Sequence, residues 1–122
     1  MSIKTHKDLD AWKISVELVT EIYQLTGNYP KDEIFELTNQ MRRASISIPS
    51  NIAEGAARNS QKEFIQFLYI ALGSQQELDT QLLISRNLNF ITEDSYNQIT
   101  DKVQTVGKLL NGLIKYLKSN DK

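Results

Sequence analysis

Gln40 to Leu82 reads QMRRASISIPSNIAEGAARNSQKEFIQFLYIALGSQQELDTQL, and this stretch decides the fold. Before its middle, apolar or small residues fall at Ile34, Leu37, Met41, Ala44, Ile48 and Ile52. After it they fall at Phe64, Leu68, Ala71, Leu78 and Leu82, with Gln75 interrupting. Both series step by three or four, the period of a helix with one buried face. Between them lies Arg58-Asn59-Ser60. Asn59 is suited to the left-handed backbone that closes a helix. Ser60 followed by Glu63 has capping-box spacing, in which each side chain satisfies a free N–H of the other. So short a connection predicts two antiparallel helices, the second and third of a bundle.

A polar stripe lies opposite the apolar face of the second helix. Arg43, Ser47, Asn51 and Glu54 follow at helical spacing, with Ser50 and Arg58 alongside. Folding the hairpin near residue 59 sets Arg43 beside Gln76 and Glu77, and Ser47 beside Gly73 and Ser74. Pro49 has no N–H, so the Ser45 carbonyl loses its helical partner and a kink is expected. The stripe has two readings. It is a binding site, or it is a buried structural network with an oligomer contact, in which Arg43 finds its counter-charge in Glu77.

The rest of the chain fits around this hairpin. Residues 1–7 read as an arm, and a first helix is expected from Asp8 to Thr26. Leu9, Trp12, Val16, Val19 and Tyr23 form one apolar stripe on it; Ala11, Leu18, Ile22 and Leu25 form a second. Two stripes exceed the roughly 100° face that a single core contact needs, so this helix is expected to meet another subunit. Gly27 is the expected C-cap. Pro30 leads into the second helix, whose first turn carries Asp32, Glu33 and Glu36. The third helix is expected from Gln61 to Asn87 or Leu88, and Thr92 caps the fourth. There Tyr96, Ile99, Val103, Val106, Leu110, Leu113 and Leu117 alternate three and four without a break, a sustained heptad seam. Gly107 and Gly112 interrupt this helix at about 1 kcal/mol each relative to Ala. The expected fold is all-α: an antiparallel up-down-up-down four-helix bundle, one domain over residues 1–122, kinked at Pro49.

Composition narrows the function. The chain has 122 residues, 40% hydrophobic and 24% charged, with no cysteine. That excludes disulfides and thiolate metal sites and fits a reducing cytoplasm. The N-terminal residues lack the apolar core of a signal peptide, and no apolar run is long enough to span a membrane. His6 is the single histidine and lies in the arm, so neither a histidine metal cluster nor a catalytic triad is expected. Glu54 and Glu63 invite a paired-carboxylate reading, but Glu63 serves as a cap and Glu54 has Arg58 one turn on. Neither catalytic nor cofactor-binding residues emerge.

The quoted stretch, from QMRRASISIPSNIAEGAARNSQKEF to FLYIALGSQQEL, together with Leu9, Trp12, Tyr29-Pro30 and Glu33, resembles a known signature. It is that of the four-helix-bundle family named after proteins encoded in intervening sequences of bacterial 23S ribosomal RNA genes, also labelled S23 ribosomal proteins. The resemblance covers nearly the whole chain. It implies an antiparallel bundle similar to the accessory protein of diversity-generating retroelements and a tendency to form homopentamers. It implies no known catalytic activity, and the link to ribosomal RNA is mainly one of gene location.

The expected topology also distributes charge. Residues 1–16, 47–73 and 108–122 fall in one half, with nine bases against five acids, a net +4. The other half has five bases against ten acids, a net −5. Arg58, Lys62, Lys115 and Lys118 are therefore candidate contacts for RNA or DNA phosphates; the alternative is that they are simply solvated. A pI of about 5.8 opposes broad nucleic-acid affinity. Three classes remain: an oligomeric scaffold or accessory protein that binds a partner protein, a nucleic-acid module using the basic end, and an enzyme with its site in the polar stripe. Genomic context separates the first two: a ribosomal RNA operon favours RNA, a neighbouring reverse transcriptase the accessory role.

Overall fold

The computed structural model describes residues 5–120, which form four α-helices: α1 (Asp10–Thr26), α2 (Leu37–Ala56), α3 (Gln61–Asn87) and α4 (Glu93–Ser119). Lys4, Asp121 and Lys122, used in the charge division above, lie outside the described residues. The bundle is all-α. Between α2 and α3 the residues that meet run in opposite senses: Met41 meets Ser85, Ser47 meets Ser74, and Gly55 sits against Phe67.

The start of α1 differs from expectation. His6–Asp8 form a 3-10 turn, and the His6 ring packs edge-on against Trp12, 5.0 Å between centroids. Leu9 then occupies the cap position, where it offers no capping side chain and is itself buried. The core face of α1 is Ala11, Ser15, Leu18, Ile22 and Thr26. Its two polar members are satisfied locally: Ser15 donates to the Trp12 carbonyl at 2.9 Å and Thr26 to that of Ile22 at 2.7 Å. Of the two expected stripes, the one carrying Leu18 and Ile22 faces the core. The other starts buried at Leu9 and emerges at Val16 and Tyr23, which are 38% and 40% exposed.

The second helix begins later than the sequence predicts. After Pro30 the chain makes one 3-10 turn, Lys31–Glu33, and Glu36 has φ −114° and ψ −113°, outside helical geometry. The acids Asp32, Glu33 and Glu36 therefore lie before α2 rather than in its first turn. Glu33 still serves it, accepting the Leu37 N–H at 3.4 Å. The break leaves Ile34, expected in the core, on the surface. Beyond it, Leu37, Met41, Ala44, Ile48 and Ile52 are buried as their spacing predicts, and α2 continues through Pro49.

Gly55 lets α2 and α3 meet closely; a Cβ there would lie 2.7 Å from Phe67 Cβ. At the turn, Ser60 Oγ accepts the Glu63 N–H at 3.1 Å. The reciprocal half of the capping box differs: the Glu63 carboxylate takes the Ser60 hydroxyl, at 3.4 Å, rather than a backbone N–H. Asn59 is not left-handed. Among non-glycine described residues that conformation belongs to Asn89, φ 61°, after α3. There Phe90 N–H bonds to the Ser85 carbonyl at 2.9 Å and Asn89 N–H to that of Arg86 at 3.0 Å, which is a Schellman closure. Thr92 caps α4 by accepting the Ser95 N–H at 3.1 Å. The α4 seam is buried from Ile99 to Leu117, with Tyr96 half-buried at its head.

Candidate polar groove and charged end

Two oddities of the sequence explain each other inside the core. Gln75, which interrupts the apolar series of α3, is buried and donates from Nε2 to the Val103 carbonyl at 3.0 Å. Its amide needs room on α4, and Gly107 provides it: a Cβ there would lie 2.8 Å from Gln75 Nε2. Gly112, by contrast, faces open space.

The polar stripe of α2 forms one wall of a groove of about 370 Å³, lined by Asn39, Gln40, Arg43, Ser47, Ser74 and Glu77. At its floor Ser74 Oγ donates to Ser47 Oγ at 2.8 Å. Asn51 Nδ2 donates to the Ser47 carbonyl at 2.8 Å and to Ser47 Oγ at 2.9 Å. The hairpin geometry thus brings Ser47 to Ser74, as the spacing implies. The expected Arg43–Glu77 pair does not form, and it is not buried. Both side chains are exposed on opposite walls, and Glu77 instead accepts from Gln81 at 3.5 Å. Glu54 lies further along and pairs with Arg58 at 3.1 Å. The groove therefore offers hydroxyls, side-chain amides and one charge of each sign, without a nucleophile–base pair. Among the described residues no three His, Cys, Asp or Glu side chains come together as metal ligands.

The four basic candidates share one end but not one face. Arg58 stacks over the Phe67 ring, 4.8 Å to its centroid, on the α2 side of α3. Lys118 reaches from α4 to Tyr69, donating to its hydroxyl at 2.6 Å. Lys62 and Lys115 are exposed. Arg58's charge is offset by Glu54, so Lys62, Lys115 and Lys118 are the freer cations.

Two features escaped the sequence. Lys102 of α4 bridges Glu17, at 3.1 Å, and Glu21, both on α1. The hydrogen bond to Glu21 chiefly holds its ammonium above the ordinary lysine value, against a smaller desolvation effect. The i,i+4 acids on α1 were visible, but their partner lies more than eighty positions away. The second feature is the turn after α1. Tyr29 is buried against Phe90, 5.3 Å between centroids, and burial pushes its phenol above the ordinary value, with Ser85 offsetting part of the push. This contact ties the α1–α2 turn to the α3–α4 turn. No helix among the described residues is long and apolar enough to cross a membrane.

A family model described as 23S rRNA-intervening sequence protein matches residues 7–112. The chain is also similar to the crystal structure of a protein of unknown function from the S23 ribosomal protein family of Bacteroides thetaiotaomicron. The two share 29% identity and superpose with a TM-score of 0.78, over 86% of this chain and 98% of that one. No curated protein matches it.

Proposed function

This chain belongs to the 23S rRNA-intervening sequence protein family, and from that premise we propose that it is a cytoplasmic, non-enzymatic scaffold or accessory protein that works as a homo-oligomer, a pentamer. The observation that carries this reading is the apolar surplus of α1. Its core contacts are met by Leu18, Ile22 and their neighbours, yet Val16 and Tyr23 remain on the surface, with Ile46 of α2 exposed as well. Singly exposed apolar residues are ordinary; a stripe of them along two neighbouring helices marks an association face. In this reading the groove hydroxyls and amides fix the α2–α3 spacing. Light scattering at micromolar concentration is the test. An assembly of five chains is expected, and a clean monomer of 14.0 kDa overturns the reading.

A second reading rests on the exposed Lys62, Lys115 and Lys118 at one end, with Arg58 nearby. In an oligomer these cations repeat around one rim and meet RNA or DNA phosphates. Such binding weakens steeply between roughly 50 and 200 mM salt through counterion release. Changing all four residues to Glu should abolish it while the assembly persists. Binding that survives the charge reversal or ignores salt eliminates this surface.

A further inference from the structure

Phe35 is 86% exposed, the most exposed large apolar side chain among the described residues. It sits in the turn between α1 and α2, beside the exposed Ile34. Had the second helix started at Pro30, Ile34 would fall in register with the buried Leu37 and Met41. The 3-10 turn and the non-helical Glu36 turn the chain outward instead. The tip is not an accident of looseness, because its base is anchored: Tyr29 is buried against Phe90, and Glu33 holds the Leu37 N–H.

The charge around the tip selects its occupant. Asp32 and Glu36 flank the two apolar residues, and both are exposed with no ion pair among the described residues. The Tyr29–Phe90 contact brings the α3–α4 turn to the same end of the bundle, where Asp94 is also exposed, with no ion pair among the described residues. Glu93 there is engaged by Arg86 at 2.8 Å. Lys31 is the single exposed base of the α1–α2 turn, and the half-buried Arg42, which shares a groove with Lys31 and Ile34, is taken up by Thr26 Oγ1 at 2.9 Å and by the Tyr23 ring. An apolar knob flanked by unpaired carboxylates disfavours nucleic acid and anionic membrane surfaces alike.

We propose that this tip, Ile34 and Phe35 with Asp32 and Glu36 on either side of them in the chain, is a docking point for a basic amphipathic helix of a partner protein. The partner's apolar face covers Phe35 and its flanking lysines or arginines meet the carboxylates, the helix-in-groove mode reduced to a knob. The proposal deepens the scaffold reading and rests on it for its purpose: an oligomer repeats the tip, so weak single contacts gain avidity.

The test uses the full chain and a labelled Leu/Lys amphipathic peptide of about 18 residues, five helical turns, with its Leu/Glu counterpart as control. Fluorescence anisotropy is expected to show binding of the Lys peptide alone, weakening between roughly 50 and 200 mM salt. Phe35→Ser should cut affinity by roughly tenfold or more, the effect of losing a buried aromatic contact. Asp32→Lys with Glu36→Lys should cut it comparably. Because Phe35 makes no core contact, Phe35→Ser should leave the melting temperature and the molar mass unchanged. Equal binding by Phe35→Ser, or binding of both peptides, overturns the proposal. So does a fall in molar mass in Phe35→Ser, which would place Phe35 between copies. Growth of the unmodified protein into longer assemblies at low salt also overturns it, since its own basic end would then cover the tip. The scaffold reading fails separately, through a monomeric mass of the unmodified protein.

Discussion

Gly107 and Gln75 are legible only as a pair. Read along α4, a glycine in a helix interior is a defect worth about 1 kcal/mol, and Gly107→Ala looks stabilising. Across the core it is the reverse, because the new methyl group would lie 2.8 Å from the Gln75 amide and displace it from the Val103 carbonyl. We expect Gly107→Ala to cost about 1–2 kcal/mol in denaturant unfolding, overpacking and a lost buried hydrogen bond outweighing propensity. In a Gln75→Ala background the same change should turn stabilising; an unchanged sign would show that the two side chains do not compete. Gly112→Ala, facing open space, should stabilise by up to about 1 kcal/mol. Arg43 carries the opposite lesson. Spacing set it across from Glu77, but which edge of a stripe faces solvent depends on how the helices are rotated, and spacing does not give that. Arg43→Ala should therefore cost no more than about 0.5 kcal/mol, and its effect should add to that of Glu77→Ala. Coupling in that cycle would restore the ion pair.

The elements were legible in proportion to how local their signals are. The heptad series of α4, the Ser60 cap and the Thr92 cap are all written within a turn or two, and each stands where the sequence put it. The start of α2 was not, because Pro30 and three acids look like a helix N-terminus from any local standpoint. What moves the start to Leu37 is tertiary: Tyr29 is buried against Phe90, some sixty positions away, and that fixes where the turn must sit. The left-handed residue was misplaced for a related reason. Asn59 and Asn89 are equally able to adopt that backbone, and only the closure of α3 onto Phe90 uses it. Asn89→Gly should be neutral or slightly stabilising. Asn89→Ala should cost about 1 kcal/mol, the penalty of a Cβ in left-handed geometry, read from the shift in melting temperature. Equal effects of the two changes would mean that the strain is not felt.

At the scale of the whole molecule, the hairpins α1–α2, α2–α3 and α3–α4 each join neighbours in sequence, whereas α1 and α4 must find each other across the chain. Their seam has Lys102 as a clasp, with an apolar groove towards Leu9 and Tyr116 and a polar one towards Gln24 and Gln98. The ammonium is held above its ordinary value, so its contribution is fully present below the unfolded-state pKa of 10.5. It is lost as pH rises through the folded-state value. The stability gap between the unmodified protein and Lys102→Met should therefore be constant at neutral pH and close above the ordinary lysine range. A gap that persists at the alkaline end would mean that packing, not charge, carries it.

That clasp also sets an order in time. Contacts distant in sequence are expensive to form early, because loop closure comes before any return from them. The α1–α4 seam should then close after the three hairpins and open before them. Lys102→Met should speed unfolding while leaving the folding rate almost unchanged, the mark of an interaction absent from the transition state. Amide exchange along the exposed flank of α1 should be the first to quicken.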